Sequence, residues 1–211
     1  MADWPTIASL ATAAGTLVLA AATFASVRSA NRAARTAERS LLAGLRPLFL
    51  NSRLQDPEQK VGWQDEHFVR VGGGRAVIEE IDGTIYMSAS LRNAGSGIGV
   101  LHGWIAHPEW LGGEQQRHPE PEQFRRLTRD LYIAPGDVGF WQGAIREPDD
   151  PERPALLSVI RRHERFTIDL LYGDYEGGQR TISRYVLSPV GDGGYLFAVG
   201  RHWNLARAEP R

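Results

Sequence analysis

The chain has 211 residues, with 24 basic and 25 acidic side chains for a formal net charge of −1, and it contains no Cys. That length gives one domain of ordinary size plus an appendage. The near-neutral balance argues against bulk attraction to nucleic acid, and the lack of Cys excludes disulfides, thiolate metal sites and a Cys nucleophile.

The first predicted element is a transmembrane helix within residues 1–27. Trp4 to Val27 contain no ionisable side chain. As a helix they span about 36 Å, more than the roughly 30 Å hydrocarbon core. Ile7, Leu10, Leu17, Val18, Leu19, Phe24 and Val27 supply most of the insertion drive, and Trp4 stands where an interfacial aromatic would. A secretory signal peptide would want a basic leader, whereas Asp3 is the one charged side chain before the apolar run. A buried soluble helix is usually shorter and shows a polar face.

Residues 28–46 form a basic helical stalk: Arg28, Arg32, Arg35, Arg39 and Arg46 stand against Glu38 alone. With no Lys or Arg on the other side, the positive-inside rule places the N-terminus outside and the body in the cytoplasm, as a single-pass protein of the inner membrane. Arg28, Arg32, Arg35 and Arg39 share one stripe of the helix. Three uses of that stripe compete: a solvated face, contact with anionic lipid headgroups, and a solvated back to a self-associating face built on Val27, Ala30, Ala34, Ala37 and Leu41. Ala11 and Gly15 add a small-residue pair within the membrane. Gly44 and Pro47 end the helix.

From Leu48 the pattern switches to period two, so residues 47–203 are expected to be an antiparallel β-sandwich, followed by a tail over 204–211. Ile85, Met87, Ala89 and Leu91 alternate in the strand Thr84–Arg92. The turn N-A-G-S-G (Asn93–Gly97) then suggests a hairpin with Gly99–Ala106. Further strands are expected at Leu48–Arg53, Phe68–Val71, Ala76–Ile81, Val138–Ile145, Phe166–Tyr172, Arg180–Ser188 and Tyr195–Gly200. The turns G-G-G-R, G-D-Y-E-G-G-Q and G-D-G-G join successive ones as hairpins. Residues 107–129 read as a long, Pro-interrupted loop with a short helix around Pro121 to Thr128. Leu156, Val159, Ile160 and His163 keep helical spacing behind Asp150, a possible cap, and Pro154; this helix is expected to plug one end of the sheets.

L-R-N-A-G-S-G (Leu91–Gly97), I-A-P-G-D (Ile133–Asp137) and Y-G-D-Y-E-G-G (Tyr172–Gly178) resemble the N-x-G-x-G, P-G-[DE] and Y-x-D-x-x-G turns of immunoglobulin-like domains in uncharacterised bacterial single-pass membrane proteins. In that group a single N-terminal helix and a basic, Ala-rich segment precede the domain. The resemblance implies a mainly β fold, an immunoglobulin-like sandwich carrying one or two short helices. The group has no assigned activity, so the likeness implies architecture and no chemistry.

Residues that could carry chemistry are scattered. His102 and His107, five apart on one strand, are expected to face opposite sides and so not to share a metal. Glu79, Glu80 and Asp82 read as a solvated strand end, and Gly72, Gly73 and Gly74 as a turn lacking the Lys and helix of a phosphate loop. No catalytic residue, cofactor or metal is therefore expected. Trp110, Leu111 and His118 in the long loop, with Trp203 in a loop-like context, are the candidate contacts for a protein partner. The leading expectation is a membrane-tethered, non-enzymatic interaction or scaffold module on the cytoplasmic face. One rival is a small-ligand-binding or hydrolytic enzyme with a site assembled from scattered His, Asp and Arg. The other, requiring inverted topology, is an extracytoplasmic sensor or cell-envelope domain.

Overall fold

The computed structural model describes residues 3–111, 117–191 and 193–205. The chain divides into two units, Met1–Ala43 and Gly44–Arg211. Residues 112–116 of the long loop and 206–211 of the expected tail lie outside the described residues.

The first unit is one helix, α1 (Trp4–Gly44), unbroken over 41 residues. At helical rise this is about 62 Å, roughly twice the hydrocarbon thickness of a bilayer. Its most apolar window has a mean hydropathy of 1.8 and none of it is buried, so the helix is long and apolar enough to cross a membrane. Inside the apolar stretch the hydroxyls of Thr12, Thr16 and Thr23 donate to the carbonyls of Ala8, Thr12 and Leu19 at 2.8–2.9 Å. Their polar atoms are thus satisfied without water, the condition that hydrocarbon imposes. Arg28, Arg32, Arg35 and Arg39 are all exposed.

The second unit is mainly β and antiparallel. Its strands are β1 (Phe49–Asn51), β2 (Gln59–Gly62), β3 (Phe68–Val71), β4 (Arg75–Ile81), β5 (Thr84–Asn93), β6 (Gly99–His107), β7 (Arg125–Ile133), β8 (Val138–Ile145), β9 (Phe166–Asp174), β10 (Arg180–Pro189) and β11 (Tyr195–Asn204). Nine of them make one curled sheet in the order β1-β5-β4-β11-β10-β9-β6-β7, with β8 on the far edge of β5. β1 and β4 share the near edge of β5, taking residues 91–93 and 84–89 respectively. The curl encloses a core that includes Trp141, Tyr172, Tyr185, Phe166 and Phe197. The β2–β3 hairpin packs on the outer face through Val61, Trp63, Val69 and Val71, against Tyr86, Phe140 and Ala144.

The helix α2 (Arg153–Arg161) buries Leu156, Leu157 and Val159 against the main core. Asp150 lies two residues ahead of the N-cap Glu152 and accepts its backbone N–H at 3.0 Å. Arg161 pairs with Glu80 at 2.8 Å, and Arg153 donates to the Gly83 carbonyl at 2.6 Å, so part of the acidic strand end pins this helix. At the C-terminus Glu164 N–H reaches Val159 O and His163 N–H reaches Ile160 O, the Schellman pattern. His163 takes the left-handed position normally given to Gly (φ 52°) and packs its ring on Tyr195.

The structure corrects four expectations of pairing and placement. β5 and β6 do not form a hairpin: β5 pairs with β1, β4 and β8, and β6 with β7 and β9. Nor do β3 and β4 pair across Gly72–Gly74, because β3 joins β2 instead. Local turn residues specify a reversal, whereas the partner strand is chosen by which faces must be buried. The expected helix around Pro121 to Thr128 shrinks to a 3-10 turn, Pro121–Gln123, and gives way to β7. β2 is likewise a strand where none was expected.

The turns that carried the resemblance do structural work, two of them meeting where the chain enters the body. Asn93 is fully buried: its amide group donates to Gly97 O and Ile133 O and accepts from Leu48 N–H and Gly95 N–H. Its own backbone bonds Asp137 O and Gly136 N–H. One side chain therefore ties N-A-G-S-G and A-P-G-D to the segment entering β1. Gly97 lies flush on the Leu45 carbonyl and Gly95 on Arg46, so no Cβ fits at either. Asp174 in turn accepts the N–H groups of Gly178 and Gln179 within Y-G-D-Y-E-G-G.

Candidate functional site

The four expected contact residues split into exposed and buried. Trp110 is 57% exposed, with the Arg165 guanidinium 5.3 Å from its ring centre. Leu111 is half-buried, its N–H donating to Thr167 Oγ1 at 3.2 Å. His118 is half-buried and meets Trp203 edge-on at 6.1 Å. Trp203 lies in β11, not in a loop, and is 3% exposed, packed with Ile105, Phe124, Leu171 and Ile182. A side chain covered in that way cannot itself meet a partner without repacking. β11 simply runs four residues beyond Gly200, so R-H-W-N is strand.

Leu111 and His118 line a pocket of about 360 Å³ together with His107, Arg184 and Glu152. Behind it Asp169 is fully buried and accepts Arg184 Nε and Nη2 at 2.8 and 2.7 Å; His107 Nε2 lies 3.1 Å away. Burial alone would raise the Asp169 carboxyl, but the hydrogen bonds and charges of Arg184 and His107 outweigh it and hold the carboxyl below its ordinary range. Arg184 and Arg201 also stand over the Trp203 ring, at 4.9 and 5.5 Å.

The expectation that His102 and His107 face opposite sides fails. Against β9, Leu101 and Gly103 pair with the successive residues Tyr172 and Leu171, so His102 is an extra residue that resets the alternation of β6. Its Nε2 lies against Gly173, on the side of β9 away from the buried Tyr172, and His107 bonds Asp169 on that same side. Even so, no cluster of three His, Asp or Glu that could hold a metal exists among the described residues.

A larger concave surface lies elsewhere. β7 and β8 are joined by the short turn 134–137, and Ile133 packs directly on Gly139 at that end. The two strands then go separate ways, β7 to β6 and β8 to β5, leaving each with one edge that no strand pairs among the described residues. The cleft between them and the β2–β3 hairpin contains two adjoining pockets of about 190 and 510 Å³, which share Trp63, Thr128, Arg129, Gln142 and Arg146. Among the described residues the lining includes Lys60, Arg125, Arg126, Arg129 and Arg146 and not one carboxylate.

These five cations are not equivalent. Arg125 is neutralised by Asp150 at 2.6 Å and Glu152 at 2.9 Å, with its guanidinium 5.6 Å over Trp104. Arg146 reaches Asp65 at 3.0 Å; the Tyr86 hydroxyl, donating to the same carboxylate at 2.6 Å, and then Arg146 hold Asp65 below its ordinary range. Arg129, by contrast, donates to the neutral Gln142 at 2.9 Å and lies over Phe140, while Lys60 lies 4.6 Å over Phe68. Arg126 is exposed and makes no ion pair among the described residues. Among the described residues, Lys60, Arg126 and Arg129 thus line the groove without a carboxylate partner.

This groove went unread because R-R-L-T-R-D-L-Y-I looks like part of a polar loop. The signal present was Leu127, Leu131 and Ile133 set among charged and polar residues, broken by the exposed T-R-D of 128–130, which bulge out of the ladder with β6. Comparison with protein-family models, with curated proteins and with solved structures finds no match for this chain.

Proposed function

We propose that this chain is a membrane-tethered, non-enzymatic interaction module whose β body binds a protein partner on the cytoplasmic face of the inner membrane. One observation carries the reading: among the described residues, a cationic groove free of carboxylates lies between two strand edges that have no strand partner. Tethering is supported by a bare apolar helix that continues without a break through Arg28–Arg39, far beyond the short apolar region of a cleaved leader. The Arg stripe supports the cytoplasmic orientation and contact of Arg28, Arg32, Arg35 and Arg39 with anionic headgroups. The immunoglobulin-like likeness and the bacterial source belong to the same proposal and rest on the turn residues alone. Self-association through α1 is a further element of it, resting on Ala11 with Gly15.

A second reading has an observation of its own. His107, oriented by buried Asp169 beside a pocket, is the arrangement of a general base. No Ser, Thr or Tyr hydroxyl lines that pocket among the described residues, which disfavours a nucleophilic hydrolase there.

The test has two arms. The full-length chain should fractionate with membranes and resist carbonate, and a reporter fused after Arg211 should be active only in its cytoplasmic form. Periplasmic activity would replace this reading with the extracytoplasmic sensor. A photo-crosslinker at Thr128 of the membrane-bound chain should give a discrete protein adduct; no protein adduct from Thr128 or from Trp110 would overturn the module.

A further inference from the structure

We infer that the groove between β7 and β8 receives an extended acidic segment of a partner protein, which adds to the free edge of β7 as a new strand. The inference rests on the interaction-module reading and specifies its partner.

Backbone chemistry comes first. A strand with one unpaired edge presents a row of N–H and C=O groups that an incoming strand satisfies. β7 spans nine residues: Arg125–Arg126 and Leu131–Ile133 pair with β6, and 127–130 bulge out of that ladder, so the incoming strand would take up backbone groups of 127–130 that, among the described residues, neither neighbour satisfies. The divergence of β7 from β8 beyond Ile133 makes the edge reachable.

Charge then selects the occupant. Among the described residues the lining has five cations and no carboxylate, in a chain whose net charge is −1. Arg125 and Arg146 are already matched from behind by Asp150, Glu152 and Asp65. Arg126, Arg129 and Lys60 are not matched by carboxylates, and they set the preference for Glu or Asp on the incoming strand. Arg on a strand edge also guards against self-pairing; the same residues repel basic strands, gain no ion pair from neutral ones and attract acidic ones. Alternate apolar residues of the incoming strand would meet Phe68 and Phe140.

A nucleic acid strand would use the cations but needs aromatic faces for its bases. Trp63 and Trp104 are buried, leaving Phe68 as the one large exposed aromatic of the lining. A lipid headgroup would use the cations and leave the strand edge unpaired.

The experiment uses the full-length chain in a neutral detergent and a labelled peptide of about eight residues alternating Glu with Val. Its partners in the test are the same peptide with Lys for Glu, and the Glu peptide with alternate backbone nitrogens methylated. The Glu peptide should bind, gain strand signal in isotope-edited infrared spectra, and lose at least about tenfold in affinity with Arg126→Glu or Arg129→Glu. Arg126→Gln, at an exposed residue, should fold normally and lose less. Equal binding of the Lys peptide, or undiminished binding of the methylated one, overturns the inference. So does binding of anionic vesicles or an oligonucleotide through the same Arg residues when the Glu peptide does not bind. If the Thr128 crosslinker captures a protein while the peptide fails, this inference falls and the interaction module stands.

Discussion

The β9–β10 pair and the β7–β8 pair use the same residue type in opposite ways. β9 is buried along its whole length and paired on both edges, and the charge it carries toward β10 is matched: Arg184, itself buried, forks onto the fully buried Asp169. β7 is paired on one edge and largely exposed, and Arg126 and Arg129 lie along it without carboxylates. Position in the curl makes the difference. A strand in mid-sheet must match every charge it buries, since an unmatched buried ion costs several kcal/mol. A strand at the open seam has water to solvate its charges and so can keep them for a partner.

The largest expected effect strikes the sealed side. Arg184→Met leaves the Asp169 carboxylate buried with His107 as its main remaining partner, and should lower stability by about 3–5 kcal/mol in thermal or denaturant unfolding of the full-length chain. Adding Asp169→Leu should recover most of that loss, because an apolar pair of similar volume replaces the ion pair. A single variant within about 1 kcal/mol of the parent would mean that the pair is not energetically sealed.

Acid titration sharpens the same contrast with a smaller effect. The Asp169 and Asp150 carboxyls are held below their ordinary range in the folded chain. Their contribution is therefore complete above the unfolded Asp value of about 4 and is lost as pH falls through their lower folded values. In Arg184→Met the sign at Asp169 reverses: burial dominates, the folded carboxyl rises, and acid relieves the unmatched charge. The stability gap between parent and variant should narrow as pH falls from 7 to about 4, measured by unfolding at each pH. A gap that widens on acidification would refute the assignment.

The smallest effect is expected at the open side. Arg126→Ala and Trp110→Ala should each leave stability within about 0.5 kcal/mol of the parent, since both side chains are exposed and neither packs into a core. A larger loss at Arg126 would make it part of the scaffold and remove it from the groove's free cations.

Legibility in the sequence followed the length scale of the information. The helix α1, its end at Gly44, and β3, β8 and α2 were readable within a residue or so, because local composition and period-two or helical spacing determine them. The turns N-A-G-S-G and A-P-G-D were also visible as turns. What those turns connect was not: Asn93 joins three segments as distant as Leu48 and Ile133, and nothing local announces that. The candidate contacts show the same limit. Trp110 was placed in an exposed setting by its polar, Pro-interrupted neighbours, whereas Trp203, in equally polar R-H-W-N, is covered by residues from β6, β9 and β10.

What the sequence by itself determined is therefore the long apolar N-terminal helix, the mainly β body and most strand positions, each an outcome of nearest-neighbour chemistry. The tertiary structure alone decided three things. It separated β5 from β6, it bulged His102 onto the face of His107, and it parted β7 from β8 to leave a cationic groove. All three depend on which strand edges are satisfied by distant partners. Edge pairing is a property of the whole sheet, and the residues of one strand cannot encode it.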